Sequence, residues 1–208
     1  METLSRAEKR RRDISTAALR LAVSEGLPAV SMARIATVTG LSRPAIYQYF
    51  PSRQHVLAEL MLNDIADLAN NLERLVGQLT DPFEQVRVWV HYCLAYLASE
   101  EHQTVLSIGR EQIPEDRLGE IGVLHGMFMT SLLTPLQRLG AASAESLVHL
   151  VYGAVDAAAK RVVNGADLST EAHYLERFAL AGLGSTLREG LINEAVKHEP
   201  DYRDNRHH

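Results

Sequence analysis

Ser31–Phe50, SMARIATVTGLSRPAIYQYF, runs directly into PSRQHVLAEL at 51–60. The stretch reads as two short helices joined by a tight turn. Ser31 can cap the first helix, with Ile35, Ala36 and Val38 as its core candidates. Gly40 supplies a positive φ at the turn, Leu41 plugs the core behind it, and Ser42 caps the second helix. Pro44 falls in the first turn of that helix, where a missing N–H does no harm. Tyr47, Gln48 and Tyr49 are then carried outward. Two helices joined in this way form a helix-turn-helix, which presents its second helix to the DNA major groove.

Working outward, nearly every segment has helical spacing and none shows β-alternation. Upstream, Ile14, Ala17, Ala18, Leu21 and Ala22 form an apolar stripe along a helix from about Arg6 to Glu25, stopped by Gly26 and Pro28. Downstream, Pro51-Ser52 breaks the chain and starts a long helix. Its buried side runs Val56, Leu57, Leu60, Met61, Ile65, Leu68, Leu72, Leu75 and Leu79. Asp81-Pro82 opens the next helix, through about Ser99, and a shorter one covers Glu101 to Gln112. Pro114-Glu115-Asp116 begins a helix to about Leu139, with a kink expected at Pro135. Two last helices follow, roughly Ser143–Asn164 and Ser169–Glu189, the second with Gly190 as its stop. The fold expected is all-α. It has a three-helix DNA-binding head at 1–51 (helix-turn-helix 31–50), a helical body at 52–199 joined by the fourth helix, and a frayed tail at 200–208.

Charge supports that division. The chain has a net charge of −5, but residues 1–60 hold nine Lys+Arg against five Asp+Glu, a balance of +4, and residues 61–208 hold 12 against 21, a balance of −9. A basic head on an acidic body suits a protein that touches phosphate with one end. With 46% hydrophobic residues the chain has ample material for a core. Cys93 is the only cysteine. It allows no intrachain disulfide, and in WVHYCLAYL it reads as a small apolar group in a buried helix. There is no secretory signal and no apolar window approaching the ~18–20 residues of a membrane span, so a cytoplasmic location is expected.

Arg43 lies at the N-terminal end of the second helix, where base edges come within reach, and can donate two parallel hydrogen bonds to guanine. Pro44 and Ala45 can pack on a thymine methyl. Tyr47 and Gln48 reach bases or phosphates, and Tyr49 a phosphate. Ser31 at a helix start and Arg53 at the start of the fourth helix are further phosphate candidates. Arg6, Lys9, Arg10, Arg11 and Arg12 form a basic run suited to tracking the DNA backbone.

Taken in order, the first helix with Gly26, then Ser31-Met-Ala-Arg-Ile-Ala, Gly40-Leu-Ser-Arg and Ile46-Tyr-Gln-Tyr-Phe-Pro-Ser-Arg, resemble the DNA-binding head of the tetracycline-repressor (TetR) family. The resemblance covers about residues 6–60, and Ala22 departs from it, since relatives often place a large aromatic there. It implies base contacts from Ala33, Arg43, Pro44 and Tyr47. It also implies that 52–199 is a ligand-binding and dimerisation domain, with a homodimer through the last two helices, a palindromic double-stranded operator and a small-molecule effector held in the body.

For the effector, the candidate lining is Trp89, Tyr92, Tyr96, His125, Met129, His149 and Tyr152, with His149, Tyr152 and Asp156 along one helix face as a polar strip. The histidines lack the tight spacing of a metal motif, and no cofactor is implied. Enzyme chemistry finds no foothold: there is no Glu-x-x-His pair, no Gly-rich phosphate loop and no nucleophile elbow. The expected function is a transcriptional repressor released from its operator by a small molecule. A DNA-binding factor whose body docks another protein is the alternative, and it predicts no ligand-sized cavity.

Overall fold

The computed structural model describes residues 5–141 and 143–197, with residues 186–197 as backbone alone, and among these it contains nine α-helices and no strand. The expected tail at 200–208 lies outside the described residues. Helix α1 spans Arg6–Glu25, α2 Met32–Thr39, α3 Arg43–Tyr47 and α4 Arg53–Val76. The body adds α5 (Pro82–Leu97), α6 (Glu100–Leu106), α7 (Glu115–Arg138), α8 (Ala144–Val163) and α9 (Leu168–Lys197). Short 3₁₀ turns lie at Leu27–Ala29 and Arg110–Gln112.

Local chemistry sets most of these ends. Ser5 and Glu8 form a reciprocal capping box at α1. Ser31, Ser42, Ser52, Asp81 and Ser99 each accept a backbone N–H as N-caps of α2 to α6. Gly40 closes α2 at φ 68°, a left-handed conformation that favours glycine.

Three expected boundaries differ. The segment expected as one helix over 101–112 divides into α6 and the 3₁₀ turn at Arg110–Gln112. Helix α4 stops at Val76, so Leu79 lies beyond it. Gly190 does not end α9, which continues to Lys197; one interior glycine costs only about 1 kcal/mol, and the residues after it are good helix formers. Pro135 is buried inside α7, which continues past it to Arg138.

Two hydrophobic cores result. The body core gathers Leu72, Trp89, Cys93, Leu94, Phe128, Leu132, Leu136, Val155 and Leu183. Gln85 pins the α4–α5 connection to it: its amide donates to Val76 O (3.1 Å) and Leu79 O (2.8 Å) and accepts from Arg138 (3.0 Å). The head core gathers Ile14, Ala18, Leu21, Ala22, Ile35, Ala36, Ile46 and Phe50. Ala22 is fully enclosed there, whereas Val38 stands exposed rather than in the core. The head core does not stop at residue 51. Val56, Leu57, Ala58 and Leu60 from α4, and Val105, Ile108 and Ile113 from the α6–α7 segment, are part of it. The head is thus built partly from chain expected to belong to the body.

Candidate functional site

The outer face of α2 and α3 carries side chains with no internal task. Ser31 accepts from Arg34 N at 3.2 Å and Ser42 from Ala45 N at 3.3 Å, so both helices start at fixed angles. Ile46 anchors α3 with no exposure, and that orientation turns Arg43, Pro44, Tyr47 and Gln48 out to solvent, alongside Ala33 of α2. Among the described residues, the Arg43 side chain makes no hydrogen bond or ion pair. A free guanidinium on a rigid helix is suited to bidentate donation into a groove. Tyr49 is half-buried against the head core, closer to packing than to solvent. Arg34 pairs with Glu25 at 2.6 Å.

Two arginines expected at phosphate are committed elsewhere. Arg53 turns inward: Nε donates to Val30 O at 2.7 Å, Nη2 to Leu27 O at 2.9 Å and Nη1 to Gln112 Oε1 at 3.2 Å. It braces the 3₁₀ turns on either side of α4, and its donors do not support a phosphate contact. Arg11 likewise leaves the basic run. Its guanidinium binds Glu59 at 3.0 and 2.5 Å, donates to Tyr49 O at 3.1 Å and lies 4.6 Å over the Phe50 ring. Glu59 also receives Arg117 of α7 at 3.2 Å, so one carboxylate joins α1, α4 and α7. Burial lowers the Arg11 pKa, but the Glu59 hydrogen bond outweighs it and keeps the value raised. Arg6, Lys9 and Arg12 stay exposed on α1.

A cavity of about 490 Å³ opens where the two cores meet. Met61, Val105, Leu118 and Ile121 line it and also form or pack against the head core, while Leu68, Leu97, Phe128 and Ala159 line it from the body core. Its polar wall includes Asp64 and His102, a buried pair joined at 2.8 Å. The Tyr96 hydroxyl donates to Asp64 O (2.8 Å) and Oδ1 (3.0 Å), and burial, reinforced by the Asp64 charge, pushes its pKa well up, so it stays a hydroxyl.

Only two of the seven expected effector residues line this cavity, His125 and Tyr152. Trp89 is fully buried, stacked on Phe128 at 5.5 Å, with its indole N–H on Ser131 Oγ at 2.8 Å. Tyr92 and Met129 pack against the body core, and Tyr96 sits behind Asp64. His149 is exposed on α8, so the expected polar strip is broken, although Asp156 does reach the cavity and pairs with Lys160 at 2.7 Å. The residues that sequence reasoning missed, Asp64, His102 and Arg110, carry no local motif. Cys93 is buried, and burial alone pushes its thiol pKa up, as expected for an apolar role. Among the described residues no group of three or more His, Cys, Asp or Glu could hold a metal, and no helix is long and apolar enough to cross a membrane.

Comparison with known proteins agrees with the head and the fold. Residues 14–60 match the model for bacterial regulatory proteins of the tetR family. Among solved structures, the chain is similar to the transcriptional regulator FadR from Bacillus subtilis in complex with stearoyl-CoA (16% identity, 82% of this chain and 98% of that one, TM-score 0.68). It is similar to the fatty acid degradation regulator FadR from Bacillus halodurans (18% identity, 82% and 98%, TM-score 0.67). A TetR-like transcriptional regulator from Rhodococcus sp. RHA1 is similar as well (23% identity, 88% and 99%, TM-score 0.64). No curated protein matches the sequence. Over residues 14–60 the chain carries the head of the tetR family of bacterial regulatory proteins, and its fold as a whole is similar to that of solved TetR-like regulators.

Proposed function

We propose that the protein is a homodimeric repressor that reads a palindromic operator with α3 and releases it when a small molecule occupies the cavity between head and body. The observation that carries this reading is the shared wall: Met61, Val105, Leu118 and Ile121 face the cavity and belong to or pack on the head core. A ligand that reshapes those side chains must also act on the seat of α3. Such a ligand shifts the equilibrium by its differential affinity for the two head positions. The cavity volume lies in the ordinary range for small-molecule sites, which weighs against a body that only docks protein.

Arg43, Pro44 and Tyr47 are assigned to bases, with Ala33 offering an apolar contact. Ser31 and Gln48 are assigned to the flanking backbone, and Tyr49 to a phosphate through its hydroxyl edge. Dimerisation is assigned to the outer face of α8 and α9. In one chain that face leaves Leu150, Tyr174 and Phe178 each about two-thirds exposed, at 68%, 66% and 69%. An isologous four-helix contact would cover them and set the two reading helices roughly 34–36 Å apart, one DNA turn. The protein resembles the stearoyl-CoA-bound FadR in fold, and an apolar effector is compatible with the lining described above.

The test is selection of bound duplexes from a random DNA pool with the full chain. An enriched palindrome is expected. A folded, dimeric sample that enriches nothing would contradict the reading.

A further inference from the structure

One charged side chain on the cavity wall has no partner among the described residues. The charged residues of that wall are Asp64, Asp156, Arg110 and Lys160. Asp64 is occupied by His102 and Tyr96, and Asp156 by Lys160. The Arg110 side chain makes no hydrogen bond or ion pair among the described residues, its carbonyl accepting from Ile113 N at 3.1 Å. It stands exposed in the 3₁₀ turn Arg110–Gln112, at the rim of the cavity with Leu106, Gly122 and His125, which are exposed too. Behind that rim the chamber is mostly apolar, walled by Ile65, Leu68, Leu97 and Phe128, with the Asp64–His102 pair set into one side. A mostly apolar chamber with one unpartnered guanidinium at its mouth disfavours a cation there and gives a neutral molecule nothing to do with the charge. It complements an apolar molecule that ends in a carboxylate, which the planar guanidinium can hold through two parallel hydrogen bonds.

The position of Arg110 also links binding to release. Two residues on, Gln112 Oε1 accepts from Arg53 Nη1 at 3.2 Å, and Arg53 in turn holds Leu27 O and Val30 O, the chain that leads into α2. The rim cation and the head brace therefore share one turn of 3₁₀ helix.

We propose that the cavity takes an apolar monocarboxylate, anchored at Arg110, and that Gln112 passes its arrival through Arg53 to the reading head. The proposal rests on the cavity being the regulator's ligand site, and its first arm needs no DNA.

That arm is calorimetry of the full chain with decanoate and tetradecanoate below their micellar concentrations, against 1-decanol and decyltrimethylammonium. A carboxylate should bind about ten-fold tighter than the alcohol, from one or two charge-assisted hydrogen bonds. Arg110→Gln should erase that difference and Arg110→Lys keep part of it. Arg110 has no internal partner to lose, so both variants should fold. Equal or tighter binding of the alcohol or the cation, no saturable carboxylate binding, or an unchanged Arg110→Gln overturns the anchor.

In the second arm, Gln112→Ala should bind decanoate like wild type and yet resist decanoate-driven release from the selected duplex. Release equal to wild type overturns the relay. If no duplex is ever selected, the first arm still decides the ligand class.

Discussion

The outer face of α3 and the joint at the start of α4 lie on either side of one sharp turn, and both are rich in arginine-bearing sequence. On the outer face Arg43 has no partner among the described residues, and Pro44, Tyr47 and Gln48 stand exposed around it. At the joint Arg53 and Arg11 reach into the protein and satisfy carbonyls or carboxylates from chain up to 59 residues away. The contrast teaches which basic residues are available to DNA. On the proposed function an unengaged donor on a rigid helix is assigned to reading, and a donor already bonded to backbone to the frame that aims it.

Substitutions should separate the two roles, and Glu59→Gln should have the largest effect. It leaves Arg11 and Arg117 facing each other across a mostly buried site, where Arg117 Nε already lacks a partner. Removing one partner from such a pair costs about 3 kcal/mol, read as a lowered urea midpoint with an unchanged slope. Arg53→Ala comes next. It strips Val30 O, Leu27 O and Gln112 of a charged donor and should cost about 2 kcal/mol of stability. It should weaken binding to all duplexes alike while leaving the salt slope where it was, because no phosphate contact is lost. Arg43→Ala should leave stability within about 0.5 kcal/mol of wild type, as for any unengaged surface side chain; a larger loss would place Arg43 in the frame.

The smallest effect concerns pH at α9. Ser169, Thr170 N–H and the Thr170 hydroxyl all donate to Asp167, and these bonds hold its pKa at about 2, below the ordinary 3.8. A depressed carboxylate stabilises the fold above its unfolded pKa, and that contribution disappears as pH falls from about 4 through 2. Asp167→Asn should flatten the pH dependence of unfolding in that window only.

How much of this was legible in the sequence follows the same contrast. The caps Ser31, Ser42, Asp81 and the turn glycine Gly40 could be read directly, because each acts on backbone within three or four residues. The outward set Ala33, Arg43, Pro44, Tyr47 and Gln48 was legible for the same reason: helix period and a buried Ile46 fix which way they point. Arg53 was misjudged because its partners lie 23, 26 and 59 positions away, and no local rule announces them.

The cavity was less legible still. Aromatic content drew attention to Trp89 and Tyr92, but large flat side chains fill cores as well as they line pockets, and Trp89 found Phe128 and Ser131 instead. The groups that do face the space, Asp64 and His102, come from helices 38 residues apart and meet only once α4 and α6 pack. The makeup of the head core was hidden in a similar way, since Val105, Ile108 and Ile113 look like body sequence and complete it.

The most direct test of reader against frame is anisotropy of a selected duplex and a scrambled duplex with wild type, Arg43→Ala and Arg53→Ala at one salt concentration. The account predicts that Arg43→Ala loses about ten-fold of the preference for the selected duplex, as expected for one bidentate base contact, and that Arg53→Ala weakens both duplexes by the same factor. Preference retained in Arg43→Ala, or lost in Arg53→Ala alone, would contradict it.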